Sequence, residues 1–168
     1  PFFEAMKMLL FDIDGTLLLT GGAGKIAFNR TFHQLFGIVD AWGNVIPDGK
    51  TDPLIMEEIA LRSLKRLLTT EEFRLVGETY SAFFKEEIDK SRRFRVLAGV
   101  AELLKHLLED KDVILGVATG NFEMTARLKL GRAAMENHFR FGGYGSDSSK
   151  RLELTVQAVK RGERLAGR

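Results

Sequence analysis

Apolar residues in this chain alternate between two kinds of run. Lys7 to Ile13 reads Lys-Met-Leu-Leu-Phe-Asp-Ile, short and almost continuously apolar, as a strand buried on both faces requires. Val113 to Ala118 is a second such run, and Phe139 to Tyr144 a weaker, Gly-rich third. Between them the spacing changes to three and four. Gly99 to Leu108 carries Val100, Leu103, Leu104, Leu107 and Leu108 on one stripe, which predicts an amphipathic crossover helix. Phe122 to Leu130 and Ser149 to Arg161 are further helical candidates. Strand, helix, strand, helix predicts an α/β fold with a Rossmann-like parallel sheet core.

Residues 21–93 break this rhythm with three helical patterns and no clear strand. Ala27 to Phe36 aligns Phe28, Phe32, Leu35 and Phe36. Pro53 to Leu68 opens with Pro in a first-turn position behind Asp52, which reads as its cap. Glu71 to Ile88 aligns Phe73, Val76, Tyr80, Phe83, Phe84 and Ile88. So much helix is too long for one crossover. The expectation is an inserted all-helical unit over 21–93, flanked by core segments 1–20 and 94–168.

Composition narrows the classes. Of 168 residues 45% are hydrophobic and 29% charged, ordinary for a folded domain and unlike a disordered chain. Thirteen Phe against one Trp and two Tyr read as core filling. There is no Cys, which excludes disulfides, thiolate catalysis and cysteine-held zinc. No run approaches the roughly 18 apolar residues of a membrane span. Pro1-Phe2-Phe3-Glu4 is no secretion signal, and the lack of an initiator Met suggests processing or a cut boundary. A cytoplasmic protein with no membrane or nucleic-acid partner is expected, monomeric or homodimeric. The formal charge is only +2, and the densest basic stretch, Ser91 to Arg95, reads as a solvated linker surface.

Asp12 and Asp14 stand where the first apolar run ends, and Gly15 after them permits a sharp turn. Open parallel sheets place their ligand crevice at the carboxyl ends of strands. Residues two apart in a strand point the same way, so both carboxylates reach one site. Their repulsion would be relieved by a hard divalent cation such as Mg2+. The same pair suits phosphoryl transfer, with one carboxylate attacking phosphorus and the other moving the proton. Thr119-Gly120-Asn121, after the second run, offers a hydroxyl and free N–H groups to a phosphate, or simply caps a helix.

Phe11-Asp12-Ile13-Asp14-Gly15-Thr16-Leu17 resembles the first motif of the haloacid-dehalogenase-like hydrolases. That resemblance implies Asp12 as nucleophile and Asp14 as general acid/base. It implies Mg2+ held by the Asp12 carboxylate and the Asp14 backbone carbonyl, and it places Gly15 and Thr16 beside the phosphate. Gly116 to Phe122 is similar to the second motif in phosphoglycolate-phosphatase-like members, making Thr119, Gly120 and Asn121 the phosphate site. Asp147 to Leu154 is similar to the third, which selects Arg151 as the cation facing the phosphoryl group, with Lys150 as runner-up. The helical insert resembles the family's first class of cap. Leu17 to Gly24 would be its hinge and flap, and Lys50 or Thr51 would touch substrate.

The family's fourth motif, a strand ending in Gly-Asp with a further Asp, has no counterpart after Arg151. The expectation is that the C-terminal part of the core is missing and that the natural protein continues. As written, the chain would bind Mg2+ poorly and hydrolyse slowly, and Met8 to Phe11 would have an unpaired edge. The expected activity is Mg2+-dependent, aspartyl-phosphate hydrolysis of a small phosphorylated metabolite, with phosphoglycolate the family-derived substrate. A sugar phosphomutase and a truncated, non-catalytic interaction fragment are the alternatives. Gly21 to Lys25 lacks the first Gly and the final Ser/Thr of a nucleotide-binding loop. His33, His106 and His138 share no zinc spacing. Trp42 is a cap-surface anchor or a packing residue.

Overall fold

The three apolar runs form one parallel sheet in the computed structural model, which describes residues 6–167. Pro1 to Glu4 lie outside the described residues. Strand β1 (Lys7–Phe11) pairs with β4 (Val113–Ala118), and β4 with β5 (Phe141–Gly143), in the order β1-β4-β5. Leu9 stands opposite Leu115 and Phe11 opposite Val117. Among the described residues β1 is an edge strand, as expected for Met8 to Phe11. The third strand takes only Phe141–Gly143 of its apolar run, and a turn of 3-10 helix at 136–138 precedes that run.

Helices α4 (Val100–Glu109), α5 (Glu123–Arg132) and α6 (Arg151–Leu165) connect and cover the sheet. Each expected helix is present, with ends displaced by a few residues. The apolar stripe of α4 is wider than the face it buries: Val100 and Leu104 are buried, but Leu103 and Leu108 are about half exposed. Ile13, Leu17, Leu104, Leu115, Val117, Ala126 and Leu130 share one apolar cluster under β1 and β4.

A second cluster belongs to α1 (Ala23–Phe36), α2 (Asp52–Leu64) and α3 (Thr70–Lys90), centred on Phe28, Phe32, Met56, Ile59, Tyr80 and Phe84. Phe28 and Tyr80 stack with centroids 3.9 Å apart, worth about 1 kcal/mol beyond the area they bury. Helix α3 starts with a reciprocal capping box between Thr69 and Glu72.

Three local expectations need correction. The connections between the two clusters pair as a small antiparallel ribbon, β2 (Leu18–Leu19) with β3 (Arg95–Val96). Two-residue strands carry too little alternation to be read from sequence. Helix α1 begins at Ala23, so Ala23 and Gly24 belong to it rather than to a hinge. Asp52 is not the cap of α2. Thr51 is, its hydroxyl accepting the Leu54 N–H, while Asp52 is the first helical residue.

The sheet and α6 meet closely at Gly143. A Cβ there would run into the carbonyl oxygen of Leu154 and stand 3.1 Å from Ala158 Cβ. Backbone cannot yield as a flexible side chain does, and overpacking of this kind costs about 1–3 kcal/mol or more. Gly143→Ala should therefore lower the urea midpoint by at least that equivalent. An unchanged midpoint would show that α6 does not press on β5.

Candidate active site

At the carboxyl ends of β1 and β4 lies a cavity of about 400 Å³, bounded on its far side by the helical cluster. Its floor is made by Asp12, Asp14, Thr119, Asn121, Lys129 and Arg151. Parallel pairing of Phe11 with Val117 brings the two strand ends side by side, and the Thr119 N–H donates to the Gly143 carbonyl at 3.0 Å.

Asp12 is held at both oxygens. The Ile13 N–H donates to Oδ1 at 2.8 Å. Arg151, the first residue of α6, donates from Nη2 to Oδ2 at 3.0 Å, and from Nε to the Gly49 carbonyl at 3.1 Å. A cation is unfavourable at a helix start, and the Asp12 carboxylate offsets it. Lys150 instead pairs with Glu153 at the surface, leaving Arg151 as the cation that reaches the cavity.

Asp14 receives both of its oxygens' bonds from Lys129 Nζ, at 2.9 and 2.7 Å, and a third from Asn121 Nδ2 at 2.7 Å. Burial pushes the Asp14 carboxyl up, but Lys129, Asn121 and Arg151 outweigh it and hold the group below its usual range. The side chain keeps 46% exposure because the cavity is open, whereas that of Lys129 keeps 6%. Asn121 also donates to the Thr119 hydroxyl at 2.6 Å and accepts from Lys129. The buried Thr119 hydroxyl is thereby oriented.

The other expected site residues divide. Gly120 lines the cavity, and so does Lys50, though Lys50 pairs with Glu58. Thr51 does not reach the cavity. It is fully buried, and its hydroxyl donates to the Ser149 carbonyl at 3.1 Å. Gly15, at φ 74°, and Thr16 shape the turn after β1 without lining the cavity. Lys25 and Trp42 do line it. Among the described residues no cluster of three or more His, Cys, Asp or Glu surrounds a metal position.

Lys129 escaped the sequence reading, and Tyr80 and Asp52 were read there as a helix-face residue and a helix cap rather than as cavity residues. Lys129 follows Asn121 and Thr125 at four-residue spacing, which puts it on their side of the helix but does not show that this side is buried. Tyr80 is buried in the cavity wall, where burial first and then the Asp52 and Asp14 carboxylates push its hydroxyl well up. Asp52 accepts from the Phe122 N–H at 3.0 Å and the Thr125 hydroxyl at 3.3 Å. Burial pushes its carboxyl up to about 6, with Lys129 and the Phe122 N–H pulling it down and Asp14 adding to the rise.

The sequence pattern of the haloacid dehalogenase-like hydrolases matches residues 9–152. No curated protein matches the chain. Among solved structures, CbbY from Rhodobacter sphaeroides, in complex with phosphate, aligns at TM-score 0.68 and 17% identity over 92% of this chain and 72% of its own. A predicted phosphatase from Clostridium acetobutylicum aligns at 0.64 and 18% identity, over 94% and 70%. A predicted phosphoglycolate phosphatase from Haemophilus somnus 129pt aligns at 0.54 and 17% identity, over 83% of this chain and 62% of its own. At such identities the likeness is one of fold.

The Asp52 carboxyl has a pH consequence. Its ordinary value is 3.8 and its value here about 6, so the folded state holds the proton more tightly than the unfolded one. The stability it contributes is present below about 3.8 and lost as pH rises through about 6. A shift of about two pH units corresponds to about 3 kcal/mol. Asp52→Asn mimics the protonated form. Its unfolding free energy should match the wild type near pH 4 and exceed it by about 2–3 kcal/mol at pH 7.5, by urea titration at each pH. A gap that stays constant with pH would contradict the assignment.

Proposed function

The chain belongs to the haloacid dehalogenase-like hydrolases, and from that premise we propose that it hydrolyses phosphomonoesters through an aspartyl-phosphate on Asp12. The observation that carries this reading is the approach of Arg151 to Asp12 within 3.0 Å, beside Thr119 and Asn121. A carboxylate, a guanidinium and an oriented hydroxyl facing one cavity suit a phosphoryl group under attack.

In the proposed first half, an Asp12 oxygen attacks phosphorus while the bond from phosphorus to the leaving alkoxide breaks. Asp14 delivers the proton to that alkoxide, first taking it up from solvent against the pull of Lys129 and Asn121, which otherwise keep it ionised. Arg151 and the Thr119 hydroxyl bind the phosphoryl oxygens, and the Gly120 and Asn121 N–H groups add donors. In the second half, water attacks phosphorus, the Asp12 oxygen leaves, and the water's proton goes to Asp14. Lys129 and Asn121 serve this half by fixing Asp14 as a carboxylate able to accept it.

The Asp12 carboxylate and the Asp14 backbone carbonyl would hold Mg2+, two protein donors that hold it weakly by themselves. The Asp14 side-chain oxygens are taken by Lys129 and Asn121. Water and phosphate oxygens would fill the remaining positions, which Mg2+ tolerates. When bound, the ion offsets negative charge on the phosphoryl oxygens.

The helical unit 21–93 acts as the cap of this site. Phe28, Trp42 and Tyr80 wall the cavity, with Lys25 and Lys50 as cations. Those walls and the cavity size favour a small phosphorylated metabolite, with phosphoglycolate the first candidate.

Phosphate release from phosphoglycolate with Mg2+ tests the reading. Asp12→Asn should lower kcat about a thousandfold or more, and Asp14→Asn about a hundredfold. Full-rate release by Asp12→Asn would exclude Asp12 as nucleophile.

A further inference from the structure

Asp52 has no role in the steps proposed above, yet it is only 7% exposed. It belongs to the first turn of α2 in the cap, while both hydrogen-bond partners of its carboxylate belong to the core. The Phe122 N–H and the Thr125 hydroxyl donate to one carboxylate oxygen. The Asp52 N–H donates in turn to the Gly120 carbonyl at 2.8 Å. Gly120 and Phe122 flank Asn121 in the candidate phosphate loop.

Helix α5 has no side-chain cap of its own, because its N-cap residue is Phe122. The Asp52 carboxylate stands in that place, supplied from the cap side of the cavity, where a helix start favours negative charge. It also lies in the first turn of its own helix. One carboxylate therefore serves the starts of two helices that face each other across the cap–core boundary.

The backbones there touch. A Cβ on Gly120 would stand 2.7 Å from the Lys50 carbonyl oxygen and 2.8 Å from Thr51 Cα. No side chain fits between the two loops. Thr51 bonds Ser149, and Gly49 accepts from Arg151, so the same cap loop also holds the arginine that reaches Asp12. The charged and titratable groups around Asp52 are Lys129 of α5, Asp14 after β1 and Tyr80 of α3.

We propose that Asp52 is a positioning residue, a clasp that seats the cap on the core and holds the Thr119–Asn121 loop in its phosphate-receiving shape. The role assigned to that loop rests on the phosphatase reading; the clasp itself rests on the contacts across the boundary. Asp52→Ala removes the acceptor from the Phe122 N–H and the Thr125 hydroxyl. Asp52→Asn keeps a carbonyl oxygen in its place.

Trp42, the single Trp, is half buried and lines the cavity, so acrylamide quenching of its fluorescence reports cap seating whether or not phosphate is released. Asp52→Ala should raise the quenching constant about twofold or more as the unseated cap gains population, with the circular dichroism of a folded protein. Asp52→Asn should restore the wild-type value. In turnover, Asp52→Ala should raise KM for phosphoglycolate about tenfold, the size of a lost charge-assisted hydrogen bond, and Asp52→Asn should recover most of it. A folded Asp52→Ala protein with wild-type quenching would overturn the clasp. If Asp52→Ala does not fold, Thr125→Val decides: increased quenching supports the clasp, and unchanged quenching overturns it. A wild type that releases no phosphate would sink the phosphatase reading and leave the quenching result standing.

Discussion

One ammonium group organises the floor of this cavity. Lys129 lies on the buried face of α5 and places its charge against Asp14 and Asn121. A charge taken out of water is strongly unfavourable unless it is paired and hydrogen-bonded, so the position of Lys129 dictates where its partners stand. Thr125 and Lys129 continue down α5 the line begun by Asn121 in the loop before it, beside the apolar line of Ala126 and Leu130 that packs on the sheet. Asn121 and Lys129 face the cavity, Thr125 bonds Asp52, and the two apolar residues fix the helix. The Phe84 ring, 5.4 Å from the ammonium, covers it from the helical unit.

Everything else in the site follows from delivering groups to that floor. Parallel pairing of β1 and β4 brings two strand ends together, which sets Asp12 and Asp14 opposite Thr119. The close seat of α6 on β5, allowed by Gly143, carries the first residue of α6 to Asp12. The three-helix cluster supplies the aromatic wall, and its loop at Gly49 to Pro53 lies against the same strand ends. The helical unit and the sheet unit thus meet at polar contacts whose members also border the proposed chemistry. A change in how the helical unit sits would alter Arg151 and the Thr119–Asn121 loop together.

Much of this was legible in the amino-acid pattern. Continuous apolar runs marked the strands, because a strand covered on both faces tolerates few polar residues. The break in rhythm after Gly21 marked three helices, which are present as α1, α2 and α3. Asp12, Asp14, Thr119 and Arg151 line one cavity; the first three stood out at strand ends, whereas Arg151 was singled out only by the resemblance of Asp147 to Leu154 to a family motif. The errors have a common cause. Asp52 was read by local capping rules and Thr51, from the resemblance, as a substrate contact, and each has a distant partner, Phe122 with Thr125 for Asp52 and Ser149 for Thr51. Lys129 was not singled out, since nothing local distinguishes a buried Lys from a solvated one. Strands β2 and β3 are too short for periodicity to register and form because the two connections lie side by side.

The central claim is that Asp12 forms a covalent bond to phosphorus. Mixing the protein with Mg2+ and phosphoglycolate, quenching in acid within the first turnovers and mapping peptides by mass spectrometry tests it directly. The account predicts a hydroxylamine-sensitive phosphoryl adduct on the peptide containing Asp12, absent from Asp12→Asn. Turnover with no adduct at any quench time, or with the adduct on another residue, would contradict it.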